Sequence, residues 1–177
     1  MNHLSEHTKT DRNRFTRMCI GEAFVDLLKH EPFSSVRISD IVTRAGISRM
    51  TYYHYYHSKS EVLSDYLQEI VKAYIFETTQ KKDIGTFHEY THILHCLHFF
   101  QQYTDFFLTL VHAGLYSIII DAINEYMMTQ VYPDYHGSVY ELYYYSGAIL
   151  NLFIQWNLQD KPETPEELAK TISAFVH

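Results

Sequence analysis

The run His88-Glu89-Tyr90-Thr91-His92 sets two imidazoles four residues apart with a carboxylate beside the first. In that spacing two histidines on one helical face can hold zinc while the glutamate acts as general base. His98 stands where longer forms of the motif carry a third ligand, but His95 replaces the glycine that would turn the chain toward it. Without the turn the helix is expected to continue, with His88, His92 and His95 as one stripe opposite an apolar face of Tyr90, Ile93, Leu94, Leu97 and Phe100. In a chain with 12 histidines the short pattern arises easily. The stripe reads first as a wet or pocket-facing surface. A regulatory metal or pH-sensitive site comes second, and a metal-dependent enzyme using His88, Glu89 and His92 is a remote third. No catalytic residue, metal or cofactor is assigned.

Charge gives a different lead. Residues 1–60 hold nine Lys/Arg against six Asp/Glu, a net +3, whereas residues 61–177 hold five against fifteen, a net −10. A basic head on an acidic body fits a head that meets an anion, although a solvated imbalance explains it equally well. Cys19 and Cys96 lie too far apart for a CxxC site and suit a reducing cytoplasm. The polar start MNHLSEHTKTDRNR lacks the apolar stretch of a secretory signal. The uncharged stretch 142–159 carries Ser146, Asn151, Gln155, Asn157 and three tyrosines, which is too polar for a membrane span.

These residues must be positioned by helices. Sixteen Tyr and 11 Phe against 6 Gly and 4 Pro describe a globular chain poor in turn formers, and no strand alternation or internal repeat is visible. Ile20, Ala23, Phe24, Leu27 and Leu28 recur at helical spacing, predicting a helix from about Thr10 to His30. Pro32 and Ser34-Ser35 end it, and Ile38, Ile41 and Val42 begin a short second helix that Gly46 stops in a left-handed turn. Ser48 then caps a third, Arg49 to about Tyr56, and Ser58-Lys59-Ser60-Glu61 is a capping box for a long fourth. Ile38–Ala45 and Arg49–Tyr56 joined through Gly46-Ile47-Ser48 make a helix-turn-helix pattern, one that many small helical bundles also contain. Further breaks are expected near 83–86, 103–105, 133–138 and 160–165, leaving a nearly all-round apolar helix, Ser138–Leu158, and an amphipathic one, Pro165–Val176.

The segment SSVRISDIVTRAGISRMTYYHYYHSKSEVL resembles the DNA-binding segment of the TetR family of bacterial regulators over about residues 10–65. It supplies Ile41, Ala45-Gly46-Ile47-Ser48, Tyr53, Tyr56, Ser58-Lys59 and Glu61-Val62-Leu63, and departs from the usual pattern at Tyr56, where phenylalanine is common, and at Met50. The resemblance implies base contacts from Ser39, Arg49, Met50 and His54, and phosphate contacts from Arg37, Ser48, Thr51, Tyr53, Tyr55 and Lys59. Arginine can fork onto a guanine and methionine can meet a thymine methyl, while hydroxyls and cations hold the phosphate backbone. Arg12 or Arg14 would add backbone clamps, or with Arg17 form only a solvated face. Tyr52 and Tyr56 alternate with the exposed positions and belong to the core.

The expected architecture is all-α: a three-helix head over residues 1–57 and a helical regulatory and dimerisation body over residues 58–177. The resemblance implies a cytoplasmic homodimer on a palindromic duplex operator, built through the last two helices. Leu142, Ile149, Leu152, Phe153 and Trp156 are expected at the interface, since one small body cannot cover them all. The expected function is a sequence-specific transcriptional regulator, a repressor released by a small-molecule effector in the body; the alternative is a co-regulator or activator controlled by a protein partner.

Overall fold

Helical periodicity punctuated by caps yields nine α-helices in the computed structural model, which describes the backbone of residues 3–175 and the side chains of residues 12–175. They are α1 (His3–Leu28), α2 (Ile38–Ala45), α3 (Arg49–Tyr55), α4 (Lys59–Thr79), α5 (Tyr90–Gln101), α6 (Thr104–His112), α7 (Tyr116–Tyr126), α8 (Val139–Leu158) and α9 (Pro165–Phe175). No strand occurs among the described residues. A π-helical turn, Met127–Val131, and a short 3-10 turn, Tyr132–Asp134, follow α7. The first helix starts earlier than its apolar period indicates, because residues 3–11 are polar but contain no helix breaker. Val176 lies outside the described residues.

Each boundary has a local cause. Gly46 takes φ +67°, and the Ile47 N–H returns to the Val42 carbonyl at 3.0 Å, closing α2. Gly114 repeats this at φ +73°, with the Leu115 N–H on the Leu110 carbonyl at 2.8 Å, and splits α6 from α7. The sequence pattern does not announce that break, because a lone glycine between two apolar runs is a weak signal. Ser58 caps α4 by accepting from the Glu61 N–H, while the Glu61 carboxylate accepts from the His57 N–H at 2.8 Å. Thr164 and Glu167 cap α9 in the same reciprocal way.

Packing joins head and body through α4. Its N-terminal half, Val62 and Leu63, shares one buried cluster with Ile20 and Phe24 of α1, Ile41 of α2 and Tyr52 of α3. Its C-terminal half sends Ile70 and Tyr74 into the same cluster beside Ile93, Leu97, Phe107 and Leu142. Full burial of each such side chain is worth roughly 1.5–3 kcal/mol. α4 packs extensively on α1, and α9 on α5.

The five residues expected at an interface on α8 differ in burial within one protomer. Leu142 is fully buried, Phe153 packs edge-on against Phe107, and the Trp156 indole N–H donates to the Glu163 carbonyl at 2.9 Å. Ile149, which lines a cavity, and Leu152 are half-buried at the margin of the core. One protomer therefore already covers Leu142, Phe153 and Trp156. From Leu142 on, α8 looks uniformly apolar in sequence because its outward side is tyrosine, small and amide residues, not charges.

The α1–α4 crossing depends on Gly21: a Cβ there would sit 2.4–2.8 Å from the Cβ, Cγ and Cδ2 of Tyr66. The near end of that side chain cannot swing away cheaply. Gly21→Ala should therefore destabilise the protein by about 1–2 kcal/mol despite better helix propensity, read as a lowered urea midpoint at unchanged slope.

Candidate nucleic-acid interface

The third helix has two faces with opposite destinies. Tyr52 is wholly buried and its hydroxyl donates to the Ser58 carbonyl at 3.2 Å; burial pushes that phenol up to about 12. Tyr56, the C-cap residue, is buried too, and its hydroxyl donates to Asp65 on α4 at 2.6 Å. Burial first, then that hydrogen bond, raises its pKa, so both tyrosines stay neutral struts. On the other face Arg49, Tyr53 and His54 are exposed, and Met50 is 83% exposed. A methionine so placed contributes nothing to the fold.

Ser48 opens the helix, its Oγ accepting from the Thr51 N–H at 3.0 Å and lying 2.8 Å from the Thr51 hydroxyl. The pair caps α3 and still presents two hydroxyls at the helix N-terminus, where backbone N–H groups favour anions. Arg37 precedes α2, exposed, with its N–H on the Asp40 carboxylate at 3.0 Å. Ser39 is half-buried on the first turn of α2, its Oγ 3.4 Å from Asp40. The structure thus gathers Arg37, Ser48, Arg49, Met50, Tyr53 and His54 as exposed residues of the two short helices, with Ser39 and Thr51 partly sheltered beside them.

Two residues expected at phosphates are engaged inside the protein. The Lys59 ammonium donates to the carbonyls of Phe33 and Val36, the latter at 2.8 Å, and lies 4.5 Å from the centre of the Phe33 ring. It ties the α1–α2 loop to the start of α4. The Tyr55 hydroxyl donates to Asn13 Oδ1 on α1 at 3.0 Å. Both side chains position the head. A lysine at a helix N-terminus reads equally as anion ligand or as clamp, and only the nearby loop carbonyls decide it.

Behind α3 lies a cluster that sequence reasoning misses. Glu69 of α4, 4% exposed, receives Arg14 at 2.7 Å, Arg17 at 3.1 Å and Lys72 at 2.8 Å, while Arg17 also pairs with Asp65. Arg14 and Arg17 are accordingly ion-paired to α4, Arg17 half-buried and Arg14 exposed like Arg12. The available signal is complementary spacing: carboxylates four apart on α4 against guanidiniums three apart on α1. Burial pulls the Glu69 carboxyl upward, but hydrogen bonds from Lys72 and Arg14 and the field of Arg17 outweigh it and hold it below its ordinary value.

The histidine stripe does not form as expected. Helix α5 begins at Tyr90, so His88 and Glu89 precede it, and Glu89 folds back onto the N–H and hydroxyl of Thr86. His92 and His95 are buried against α4: His92 Nε2 lies 2.8 Å from the Tyr74 hydroxyl and Nδ1 3.3 Å from the Gly85 carbonyl, while His95 Nε2 lies 3.2 Å from Thr78 Oγ1. Burial lowers both imidazole pKa values. No group of three His, Cys, Asp or Glu side chains among the described residues could hold a metal ion. No helix among them is long and apolar enough to cross a membrane.

Because Glu69 binds its proton less readily folded than unfolded, its stabilisation is complete above the unfolded carboxylate pKa of about 4.3 and lost as pH falls through its folded value. Glu69→Gln should therefore flatten the acid limb of the stability curve, measured by urea unfolding from pH 7 to pH 3. Lys59→Met should lower stability, whereas Arg49→Ala and Met50→Ala should leave the melting temperature within about 1 °C, since exposed side chains away from structural contacts change stability little.

Comparisons with known proteins agree with this geometry. Residues 20–66 match the family model described as bacterial regulatory proteins, tetR family, and residues 88–177 match one described as a transcriptional regulator C-terminal region. The fold is similar to the crystal structure of a TetR transcriptional regulator from Streptococcus agalactiae 2603V, with a TM-score of 0.60 and 22% identity over 97% of this chain and 99% of that one. It is also similar to the dihydroxyacetone kinase operon activator DhaS, with a TM-score of 0.57 and 19% identity over 90% and 93% of the two chains. In sequence, 49 residues are 37% identical to the HTH-type dhaKLM operon transcriptional activator DhaS of Lactococcus lactis subsp. lactis (strain IL1403), a match spanning 28% of this chain and 26% of that protein. With one model covering the helix-turn-helix and the other the second half of the chain, the protein belongs to the TetR family of bacterial transcriptional regulators.

Proposed function

We propose that this protein is a homodimeric, sequence-specific DNA-binding repressor that reads a near-palindromic operator and is released by a small molecule held in its helical body. The observation that carries the DNA reading is the exposed face of α3. Arg49, Met50, Tyr53 and His54 face solvent while the opposite face is locked by Tyr52 and Tyr56. Arg49 and Met50, at the N-terminal end of the helix, would reach base edges with Ser39 and His54 beside them, and Arg37, Ser48, Thr51 and Tyr53 would hold phosphates. Residues 1–57 act as the reading head and residues 58–177 as the body that answers the effector, consistent with a cytoplasmic protein. An activator role is the second reading, favoured by the resemblance to DhaS, which is described as an activator.

Dimerisation is assigned to the outward side of α8. Tyr140, Tyr144, Asn151, Gln155 and Leu158 are exposed there, with half-buried Gly147 and Ala148 between them, a stripe at spacings of three and four that runs the length of the helix. The small residues at its centre allow two helices to approach closely, and α9 would complete a four-helix bundle about a two-fold axis.

A palindromic operator should show two symmetric footprints, and Arg49→Ala should flatten base preference at one or two positions, for a loss of roughly 1–3 kcal/mol of discrimination. Protection of one isolated half-site would count against the arrangement. Deleting the gene should raise expression from that operator if the protein represses and lower it if it activates. Ala148→Arg should yield folded monomers by sedimentation, whereas Trp156→Arg should lose helicity altogether; an Ala148→Arg dimer of native affinity would move the interface elsewhere.

A further inference from the structure

Helices α4, α5, α7 and α8 line a partly open cavity of about 80 Å³ within the body. Val71, Leu97, Phe100, Ile123, Met127 and Ile149 supply much of its wall. No Asp, Glu, Lys or Arg reaches it. Among its polar groups the Tyr145 hydroxyl donates to the Phe87 carbonyl at 2.7 Å and Tyr74 is paired with His92, while Tyr126 and Cys96 complete the lining. His92, with Nδ1 toward the Gly85 carbonyl and Nε2 toward Tyr74, is a neutral imidazole in this arrangement.

Size and polarity together limit the occupant. A cavity of about 150 Å³ takes up benzene or xenon, so one near 80 Å³ has room for about three to five heavy atoms. A charge brought into such a lining finds no counter-ion and loses its hydration without compensation. The wall also contains Met127, first residue of the π-helical turn, and π turns are places where a helix is irregular for a functional reason.

We propose that the cavity is an effector site for a short, uncharged, mainly apolar molecule with a single hydroxyl, in the class of a three- to four-carbon alcohol. This rests on the reading that the body answers a small molecule. Because His92 Nδ1 donates to the Gly85 carbonyl, the Tyr74 O–H donates to Nε2, and the Tyr74 oxygen is left to accept the ligand's hydroxyl hydrogen as its one polar contact. The binding surface includes Leu67, Val71 and Tyr74, on the same helix whose Asp65 and Glu69 hold α1 and the tail of α3. Filling the cavity stabilises one placement of α4 against α7 and α8, and thereby one placement of the head.

The test uses the whole chain with 2-propanol and 2-butanol as probes, propionate and propylammonium as charged counterparts, and toluene as an oversized one. Ligands this small bind no tighter than about 1 μM. At a hundredfold excess over Kd the neutral small probes should raise the melting temperature by roughly 5–10 °C in a saturable way, and the charged and oversized ones should not. Ile149→Phe and Val71→Phe, each filling the cavity, should abolish the shift, and xenon pressurised into crystals should give density among Val71, Phe100 and Ile149. Stabilisation by propionate, propylammonium or toluene that either variant removes would overturn the ligand class. No shift with either neutral probe, together with no xenon density, would overturn the site. Operator footprinting in the same samples separates the two readings: a missing palindromic footprint with the thermal pattern intact removes the regulatory reading and leaves the ligand class standing.

Discussion

The carboxylate of Glu69 is the point at which the two halves of the molecule are held together. It is buried, ionised and met by three cations from two helices, and its neighbour Asp65 carries Arg17 and the Tyr56 hydroxyl. A buried charge without partners would cost several kcal/mol, so this arrangement is all or nothing. Its effect is directional. Arg14 and Arg17 fix α1, Tyr56 fixes the end of α3, and both refer back to a single turn of α4. The angle of α3 is therefore set by α4 as much as by the three-helix head itself.

Local chemistry was legible in the sequence wherever one residue decides one feature. Gly46 for a left-handed turn, Ser48 and Ser58 for caps, and the alternation that buries Tyr52 and Tyr56 all needed only near neighbours in the chain. Partners inside the protein needed distant ones. Lys59 is a clamp because Phe33 and Val36 offer carbonyls to it, and Tyr55 is a strut because Asn13 lies across the helix pair. On α8 the apolar count was legible and its partners were not: Leu142, Phe153 and Trp156 are buried within one protomer, where α6, α7 and the turn after α7 pack against the helix, and from Leu142 on its outward side is merely uncharged. His88 and His92 shared a spacing but not an element, since Glu89 ends a turn and stands as the N-cap of α5.

The body shows how an aromatic-rich chain handles its polar tips. Tyr74 sits among His92, His95, Phe99, Phe100 and Tyr126 with ring centres 5.0–6.2 Å apart, mostly tilted or edge-on, a geometry that aromatic quadrupoles favour. Each buried hydroxyl or ring nitrogen then needs one partner. Tyr74 finds His92, Tyr145 finds the Phe87 carbonyl and His95 finds Thr78. Among the described residues no fully buried side-chain nitrogen or oxygen is left without a hydrogen bond. Such a network leaves little polarity to spare, which is why the space it encloses is lined by carbon.

Met50 carries a consequence for how such a protein changes over generations. Its side chain is almost wholly in solvent, on a helix whose other face is anchored by two tyrosines and a serine cap. Inheritance at positions 49, 50, 53 and 54 is thus nearly free of any folding requirement. On the proposed reading, drift there is filtered only by the DNA, and a duplicated copy of the gene could acquire a new target through one or two codon changes while keeping its architecture intact.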